Sequence, residues 1–302
     1  MDANLFDDLA KSGLEVFAYA APVVGTAGVG VCEHELVTPA SVMKIQVALA
    51  VESLIDEGVV KATDRRIMLP ASRTPGPVGM SLMRDEVVMS VRDLVVAMLT
   101  ISDNVATDEL IDVVGLDYIN HFTQELGLER TWIASNLQGM LDDVAREAGF
   151  SQYQDLVDRD PESDGPPTWS EVGRRIESSQ ALNPTLGSRT TPHETVTLLQ
   201  ALWTDRATTP RACSTVRYHM SNQLARTRIA SGFDSSVTVA AKSGALLKVV
   251  RNEVGVVSYL DGSAFAVAVF TRQHHDNEFD AAQVDAAIGQ VARSLVEELY
   301  NA

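Results

Sequence analysis

Ser41 and Lys44 are spaced so that a nucleophile and a base can act together. The hydroxyl and the amine lie three residues apart on a predicted helix, which places them one turn apart on the same face. A serine is a poor nucleophile until a base accepts its proton, and a lysine withdrawn from water can be neutral enough to accept it. The pair predicts acyl transfer to Ser41 if Lys44 is buried, although the pattern alone is also typical of a capped, solvated helix.

Two other short motifs carry side chains suited to the same chemistry. Ser102-Asp103-Asn104 interrupts two helical stretches, which predicts a turn whose Asp or Asn side chain caps the next helix. Lys242-Ser243-Gly244 ends a predicted strand, where the glycine lets a ligand approach the backbone closely. Each motif alone also fits ordinary structure, a helix cap in the first case and a strand end in the second.

The helix that carries Ser41 has a recognisable beginning and end. Thr38 is the predicted N-cap, Pro39 occupies the first helical position and Gly58 ends the helix. Ser41 therefore falls in the first turn, where backbone N–H groups have no partner inside the helix. Such a group can stabilise a developing oxyanion.

The order of the elements predicts how the motifs are brought together. β-forming residues occur from about 14 to 33 and helical patterns follow to about 205. Strands then return from about 237 with a hairpin turned at Asp261-Gly262, and a helix closes the chain. This order predicts a single α+β domain over 1–302, in which an antiparallel sheet flanked by helices contains an inserted all-helical lobe. Residues 1–37 and 206–302 would form the α/β lobe, and 38–205 the helical lobe.

Taken in order, the three motifs make the chain similar to the class A β-lactamases and the penicillin-binding proteins. That family carries Ser-x-x-Lys, Ser-Asp-Asn and Lys-Thr/Ser-Gly on a helix, a loop and a strand, as predicted here. The stretch from Met89 to Asn104 also resembles the family's approach to its second motif. The resemblance implies a β-lactamase/transpeptidase-like fold and a serine hydrolase that forms an acyl-enzyme on β-lactam or related amide bonds.

The resemblance assigns catalytic roles to four positions. Ser41 would be acylated, with Lys44 as its base directly or through water, and Ser102 would pass the proton to the leaving nitrogen. Lys242 would hold Ser102 and the substrate carboxylate electrostatically. The expected partner is thus a small molecule that carries an amide or ester and a carboxylate, and neither a metal nor a cofactor is expected.

Four further positions would bind the substrate. Asn104 would contact the substrate amide and Ser243 would hydrogen-bond the carboxylate. The backbone N–H of Ala245 would complete an oxyanion hole with that of Ser41. Arg251 matches a position where some class A enzymes keep a carboxylate-binding arginine, although a surface strand residue is an equally good interpretation.

The resemblance fails where class A enzymes keep their deacylating glutamate, four residues before a loop asparagine. Asn183 matches that asparagine, but Ser179 stands four residues before it. Glu177 is the nearest upstream carboxylate, and it is the candidate deacylation base if the loop brings it to Ser41.

The segment at about 140–180 lies outside the family pattern. The 140 residues from Ser102 to Lys242 exceed the family norm by about the length of this segment. It contains a polar, proline-containing run from Asp158 to Pro167. An insertion or lid is expected, and a mobile decoration is the alternative.

Three functions remain open on these grounds. A working deacylation base would make the chain a class A β-lactamase-like enzyme. The same acylation chemistry would also serve an amidase, esterase or peptidase acting on an intracellular substrate. Without a base the acyl group would leave slowly, as in a penicillin-binding or sensor protein.

The composition argues against other partners. A net charge of −17 would repel nucleic acid and anionic membrane surfaces. The first residues contain no basic region followed by an apolar run, so a cytoplasmic protein is expected. Cys32 and Cys213 suggest neither a disulfide framework nor a metal site, and two reduced, packed thiols are expected.

Overall fold

The computed structural model of the chain describes residues 3–159, 167–274, 277 and 279–302. Its strands are β1 Leu14–Pro22, β2 Val29–Val31, β3 Arg65–Met68, β4 Val87–Ser90, β5 Thr238–Leu246, β6 Val250–Ser258 and β7 Ala264–Gln273. Its helices are α1 Ala3–Lys11, α2 Lys44–Asp56, α3 Val91–Thr100, α4 Asn104–Val114, α5 Leu116–Glu125, α6 Leu137–Ala148, α7 Tyr153–Val157, α8 Trp169–Glu177, α9 Pro192–Trp203, α10 Pro210–Ser221 and α11 Ala281–Tyr300. None of the helices described is long and apolar enough to cross a bilayer.

Five strands form an antiparallel sheet in the order β2-β1-β7-β6-β5. β1 pairs along its whole length with β7, from Leu14 opposite Gln273 to Pro22 opposite Phe265. The sheet is thus built from both ends of the chain, which confirms the predicted fold class. β5 is an edge strand, and its outer side faces the helical part of the molecule.

Two large apolar cores lie on opposite faces of this sheet. Val267 and Val269 of β7 pack in the core that includes α1 and α11. Their neighbours Ala268 and Phe270 pack in the core that includes α2, α3 and α9, as the alternation of side chains along a strand requires. Residues 44–54 of α2 are all buried, so this helix runs through the interior and carries the side chain of Lys44 with it.

The start of the Ser41 helix differs from the prediction. Pro39, not Thr38, is the N-cap, and Thr38 Oγ1 makes no hydrogen bond to the described residues. Ala40–Met43 forms a 3₁₀ turn that leads directly into α2. Ser41 therefore still lies in the first turn, but in a tighter one.

Other local predictions have mixed outcomes. Asp103 caps α4 by accepting from the Ala106 N–H at 3.0 Å, which confirms the predicted capping turn. Both cysteines are unpaired, but only Cys213 is packed, because Cys32 is exposed. The sequence patterns do not predict α1 or the separate two-stranded sheet of β3 and β4.

The segment at 140–180 is anchored beside Ser41. Residues 160–166 lie outside the described part of the chain, but α6, α7 and α8 form a third apolar core with the β5–β6 hairpin. Leu141, Leu156 and Val172 pack there with Leu246 and Ala40, the residue before the nucleophile. The described part of the segment is thus a packed wall next to Ser41, which does not fit a mobile decoration.

Candidate active site

Ser41 lies where the helical part meets the edge strand β5. A Cβ atom on Gly244 would come within 2.8 Å of the Pro39 carbonyl oxygen and 3.2 Å of the Ser41 nitrogen. Glycine is therefore needed for this close approach. Ala40 has a φ of 48°, a left-handed conformation that is unfavourable for alanine and is often found at functional sites.

Lys44 is fully buried, and three oxygen acceptors hold its amino group. Lys44 Nζ donates to the Ser102 carbonyl oxygen at 2.7 Å, to Asn104 Oδ1 at 2.9 Å and to Ser102 Oγ at 3.2 Å. Burial lowers the pKa of Lys44 to about 7, although attraction to Asp103 and Asp108 acts in the opposite direction. A substantial fraction of Lys44 is therefore neutral at pH 7 and able to accept a proton.

The Ser102 hydroxyl joins the two buried lysines. Lys242 Nζ on β5 donates to Ser102 Oγ at 3.0 Å, and Lys44 Nζ donates to the same atom at 3.2 Å. Ser102 is itself left-handed, with a φ of 61°, so its position is fixed at some local cost. Because the two donors occupy both lone pairs of the oxygen, the hydroxyl proton is left to be donated elsewhere.

Lys242 resembles Lys44 in its burial and in the direction of its pKa shift. It is fully buried, and Nζ also donates to the Ser243 carbonyl oxygen at 2.7 Å. Burial and then the nearby Lys44 hold the pKa of Lys242 well below its usual value. Two ammonium groups on one hydroxyl oxygen repel each other, which favours loss of a proton from the pair.

The outer edge of β5 presents backbone N–H groups that do not pair within the sheet. The Ser243 N–H donates outward to Gln223 Oε1 at 2.5 Å. Alternation along the strand then places the Ala245 N–H on the same outer side. Gly244, between them, contacts the Ser41 backbone. The Ala245 N–H therefore points away from the sheet, next to the residue that contacts the Ser41 backbone.

Asn104 and Asp108 extend from α4 toward the walls of the site. Asn104 Nδ2 donates to the Pro75 carbonyl oxygen at 2.8 Å, while its Oδ1 accepts from Lys44. Asp108, one helical turn later, accepts from the Leu137 N–H at 2.8 Å. Burial raises the pKa of Asp108, and attraction to Lys44 opposes this. Asp108 therefore accepts a hydrogen bond from the first residue of α6 and also attracts the charged form of Lys44.

Two arginines share Asp285 on α11, but only one reaches the cleft. Arg251 Nη2 lies 2.7 Å from Asp285 Oδ1, and Arg228 Nε lies 2.8 Å from the same oxygen. Arg228 Nη1 also donates to the Gly244 carbonyl oxygen at 2.8 Å. Of the two arginines, only Arg228 is among the described residues that line the cleft, next to Ser243, whereas Arg251 lies opposite Ala245 on the neighbouring strand.

Glu177 lies away from the nucleophile. Its carboxylate pairs with His274 Nδ1 at 3.3 Å, and the residue does not line the cleft that contains Ser41. Ser179 is buried, and its Oγ has no hydrogen-bond partner among the described residues. The condition for Glu177 as a deacylation base, that the loop bring it to Ser41, is thus not met by this arrangement.

These groups open onto a cleft of about 800 Å³, a size usual for small-molecule sites. Segments 75–82, 137–141, 153–157 and 243–247 form its walls around Ser41 and Ser102. Among the described residues that line it, Arg228 is the only charged one and none is a carboxylate.

Sequence reasoning missed three residues that shape the site. Asp108 follows Asn104 by four residues on one helix, and this spacing is a signal that could have identified it. Gln223 and Arg228 follow α10 and reach β5 only through tertiary packing. Their local sequence contains no signal of a role.

Comparisons of the sequence find related proteins. Residues 3–299 match the β-lactamase enzyme family. The β-lactamase regulatory protein BlaB of Streptomyces cacaoi is 30% identical over 273 residues, which cover 86% of this chain and 85% of that protein.

Solved structures are similar over nearly the whole chain. The β-lactamase from Sphaerobacter thermophilus DSM 20745 has a TM-score of 0.76 at 24% identity, and the match covers 99% of this chain and 96% of that one. The acyl-enzyme complex of a PBP-A mutant with penicillin G has a TM-score of 0.74 at 20% identity, with coverage of 100% and 98%. These similarities confirm the β-lactamase/transpeptidase-like fold.

Proposed function

Because this chain belongs to the β-lactamase enzyme family, we propose that Ser41 is acylated by β-lactams and related amides that carry a carboxylate. The acyl group then leaves slowly. The main observation in support is that both buried lysines contact Ser102 Oγ, and Ser102 lines the same cleft as Ser41. The cleft supplies the groups for acylation, while its described lining contains no carboxylate to activate water.

Acylation begins with proton transfer from Ser41 Oγ to neutral Lys44, directly or through water, as Oγ bonds to the substrate carbonyl carbon. The N–H groups of Ser41 and Ala245 stabilise the resulting oxyanion. When the C–N bond breaks, Ser102 gives its proton to the leaving nitrogen and takes one from Lys44, whose Nζ lies 3.2 Å away. Lys44 is then neutral again, and Ser41 carries an ester.

The substrate carboxylate is assigned to the end of the cleft that contains Arg228 and Ser243. Arg228 is the charged residue of the described lining, and Lys242 lies beneath Ser243, to whose carbonyl it donates. A guanidinium and a hydroxyl suit a carboxylate ligand. The acyl part of the substrate must then extend from Ser41 toward the opposite walls.

The positions of the carboxylates in the described part of the chain support slow deacylation. A general base must come within hydrogen-bond reach of the attacking water, and Glu177 is instead paired with His274. A persistent acyl-enzyme is what a penicillin-binding or sensor protein needs, and a sensor role is the second candidate function. The regulatory name of the 30% identical relative from Streptomyces cacaoi favours it.

Intact-protein mass spectrometry with penicillin G or a chromogenic cephalosporin tests the proposal. We expect a stoichiometric adduct that persists for many minutes on the wild type and on Ser221→Ala, an exposed serine on α10, but no adduct on Ser41→Ala. Rapid ring opening without a lasting adduct would overturn slow deacylation and indicate a β-lactamase. Absence of any adduct and any ring opening would overturn acylation by β-lactams.

A further inference from the structure

One side of the cleft is almost entirely apolar. Met140 and Leu141 of α6, Tyr153 and Val157 of α7, and Leu247 after β5 line this side. Four of these residues belong to the segment at 140–180. The acylation chemistry proposed for Ser41 does not explain this apolar wall.

The rim of the cleft exposes large apolar side chains to water. Leu82 is 65% exposed, Val157 is 55% exposed and Val78 is 38% exposed, and all three line the cleft. Exposed apolar residues are ordinary when they are scattered singly, but a group of them around a cleft marks a surface that a ligand covers. Their arrangement around Ser41 indicates an apolar ligand group that extends to the rim.

Leu247 is held at the cleft in an unfavourable backbone conformation. Leu247 and Lys248 have φ values of 53° and 63°, and the Val249 N–H donates to the Leu246 carbonyl oxygen at 3.1 Å to close the turn. Turns with two left-handed central residues strongly favour glycine, asparagine and aspartate. A leucine here is unfavourable for the turn itself but adds apolar surface to the cleft.

Another part of the cleft lining is polar and cationic. Arg228 and Ser243 contribute to it, in a protein whose net charge is −17. A ligand that fits both parts must carry an anionic group and an apolar group. With a volume of about 800 Å³, the cleft suits a small molecule.

We propose that the substrate is an amphiphilic amide whose acyl side carries an extended apolar chain, and that this chain binds along the α6–α7 wall and the tip of the β5–β6 hairpin. The inference rests on the proposed function, since it takes Ser41 as the acylated residue. It adds the chemical class of the acyl group, which the three catalytic motifs leave open.

A series of penicillins tests the proposal, each with the same carboxylate-bearing nucleus and a straight acyl side chain of different length. The second-order rate constant for Ser41 acylation is measured by intact mass. We expect it to rise about two- to fourfold for each added methylene until the wall is covered. Equal or falling rates along the series would overturn the inference and leave the proposed function standing. Failure of every member to acylate Ser41 would overturn both.

Matched variants locate the chain in the cleft. Leu82→Glu and Val157→Asp should reduce the advantage of the longest over the shortest side chain by about tenfold, because each places a charge where the chain lies. The readout is the ratio of the rate constants for the longest and the shortest side chain within each variant, so a general effect of the substitution on acylation cancels. Leu260→Glu is the control, since Leu260 is 89% exposed in the β6–β7 turn and does not line the cleft. Retention of the full chain-length advantage in both rim variants would contradict the proposed placement.

Discussion

The pH dependence of acylation tests whether Lys44 is the base for Ser41. With a pKa of about 7, compared with 10.5 for an ordinary lysine, about half of Lys44 is neutral at pH 7. An ordinary lysine would be neutral in only about one molecule in 3,000 at this pH. The acylation rate constant should therefore rise with pH, reach half its maximum near pH 7 and level off above that.

Asp108→Asn should move this midpoint in a defined direction. Attraction to Asp108 raises the pKa of Lys44, so removal of that negative charge should lower the pKa and shift the midpoint to lower pH by up to about one unit. The amide oxygen of asparagine can still accept from the Leu137 N–H. Asp112→Asn is the matched control, because Asp112 lies on the same helix but is 67% exposed and pairs with Arg66.

The assay is rapid-quench acylation by a penicillin between pH 5.5 and 9, followed by intact mass. The wild type and Asp112→Asn should share one midpoint, and Asp108→Asn should have a lower one. An unchanged or higher midpoint in Asp108→Asn, or a wild-type profile that still rises steeply above pH 9, would refute the assignment of Lys44 as the base.

The lowered pKa of Lys44 should also make stability depend on pH. Between pH 7 and 10.5 the unfolded chain binds a proton at Lys44 that the folded chain has lost, so the free energy of unfolding rises with pH in this window. Relative to Lys44→Met, the wild type should gain about 2 kcal/mol between pH 7 and pH 9. Urea unfolding of both proteins at the two pH values measures this gain, and an equal change in both would contradict the pKa shift.

Three further substitutions probe other parts of the site. Leu137→Glu places a carboxylate in the cleft, beside Asp108 and near Lys44, and should shorten the lifetime of the adduct by about 10²-fold. Leu137→Gln, of the same size, should leave the lifetime unchanged. Equal lifetimes in the two variants would argue against a missing base. Gly244→Ala forces a Cβ against the Ser41 turn at 2.8–3.2 Å and should slow acylation at least about tenfold. Rapid quench measures the rate, and circular dichroism should show unchanged secondary structure. Arg228→Lys should slow acylation by substrates with a carboxylate about tenfold but leave acylation by a neutral ester unchanged, and Arg251→Lys should change neither rate. A larger effect at Arg251 would assign the substrate carboxylate to Arg251 instead.

Local signals determined most of the fold from the sequence. The β-forming residues of β5, β6 and β7, the turn at Asp261-Gly262 and the cap at Asp103 are local features of the chain, so they could be predicted without knowledge of the packing. The same holds for Ser41 and Lys44, because one helical turn joins them whatever surrounds the helix. These residue types are also the basis of the proposed acylation of Ser41, since a lysine one turn from a serine can serve as its base.

Tertiary structure decided how these residues act and which others join them. Lys44 could be a base only if α2 was buried on all sides, and burial is a property of the whole core. Arg228 and Arg251 share one aspartate, but the path of the chain after α10 directs only Arg228 into the cleft. By its place in the sequence Glu177 could have reached Ser41, but α8 packs so that its carboxylate pairs with His274. Contacts between residues far apart in the chain depend on how whole elements pack, and no local pattern encodes that packing.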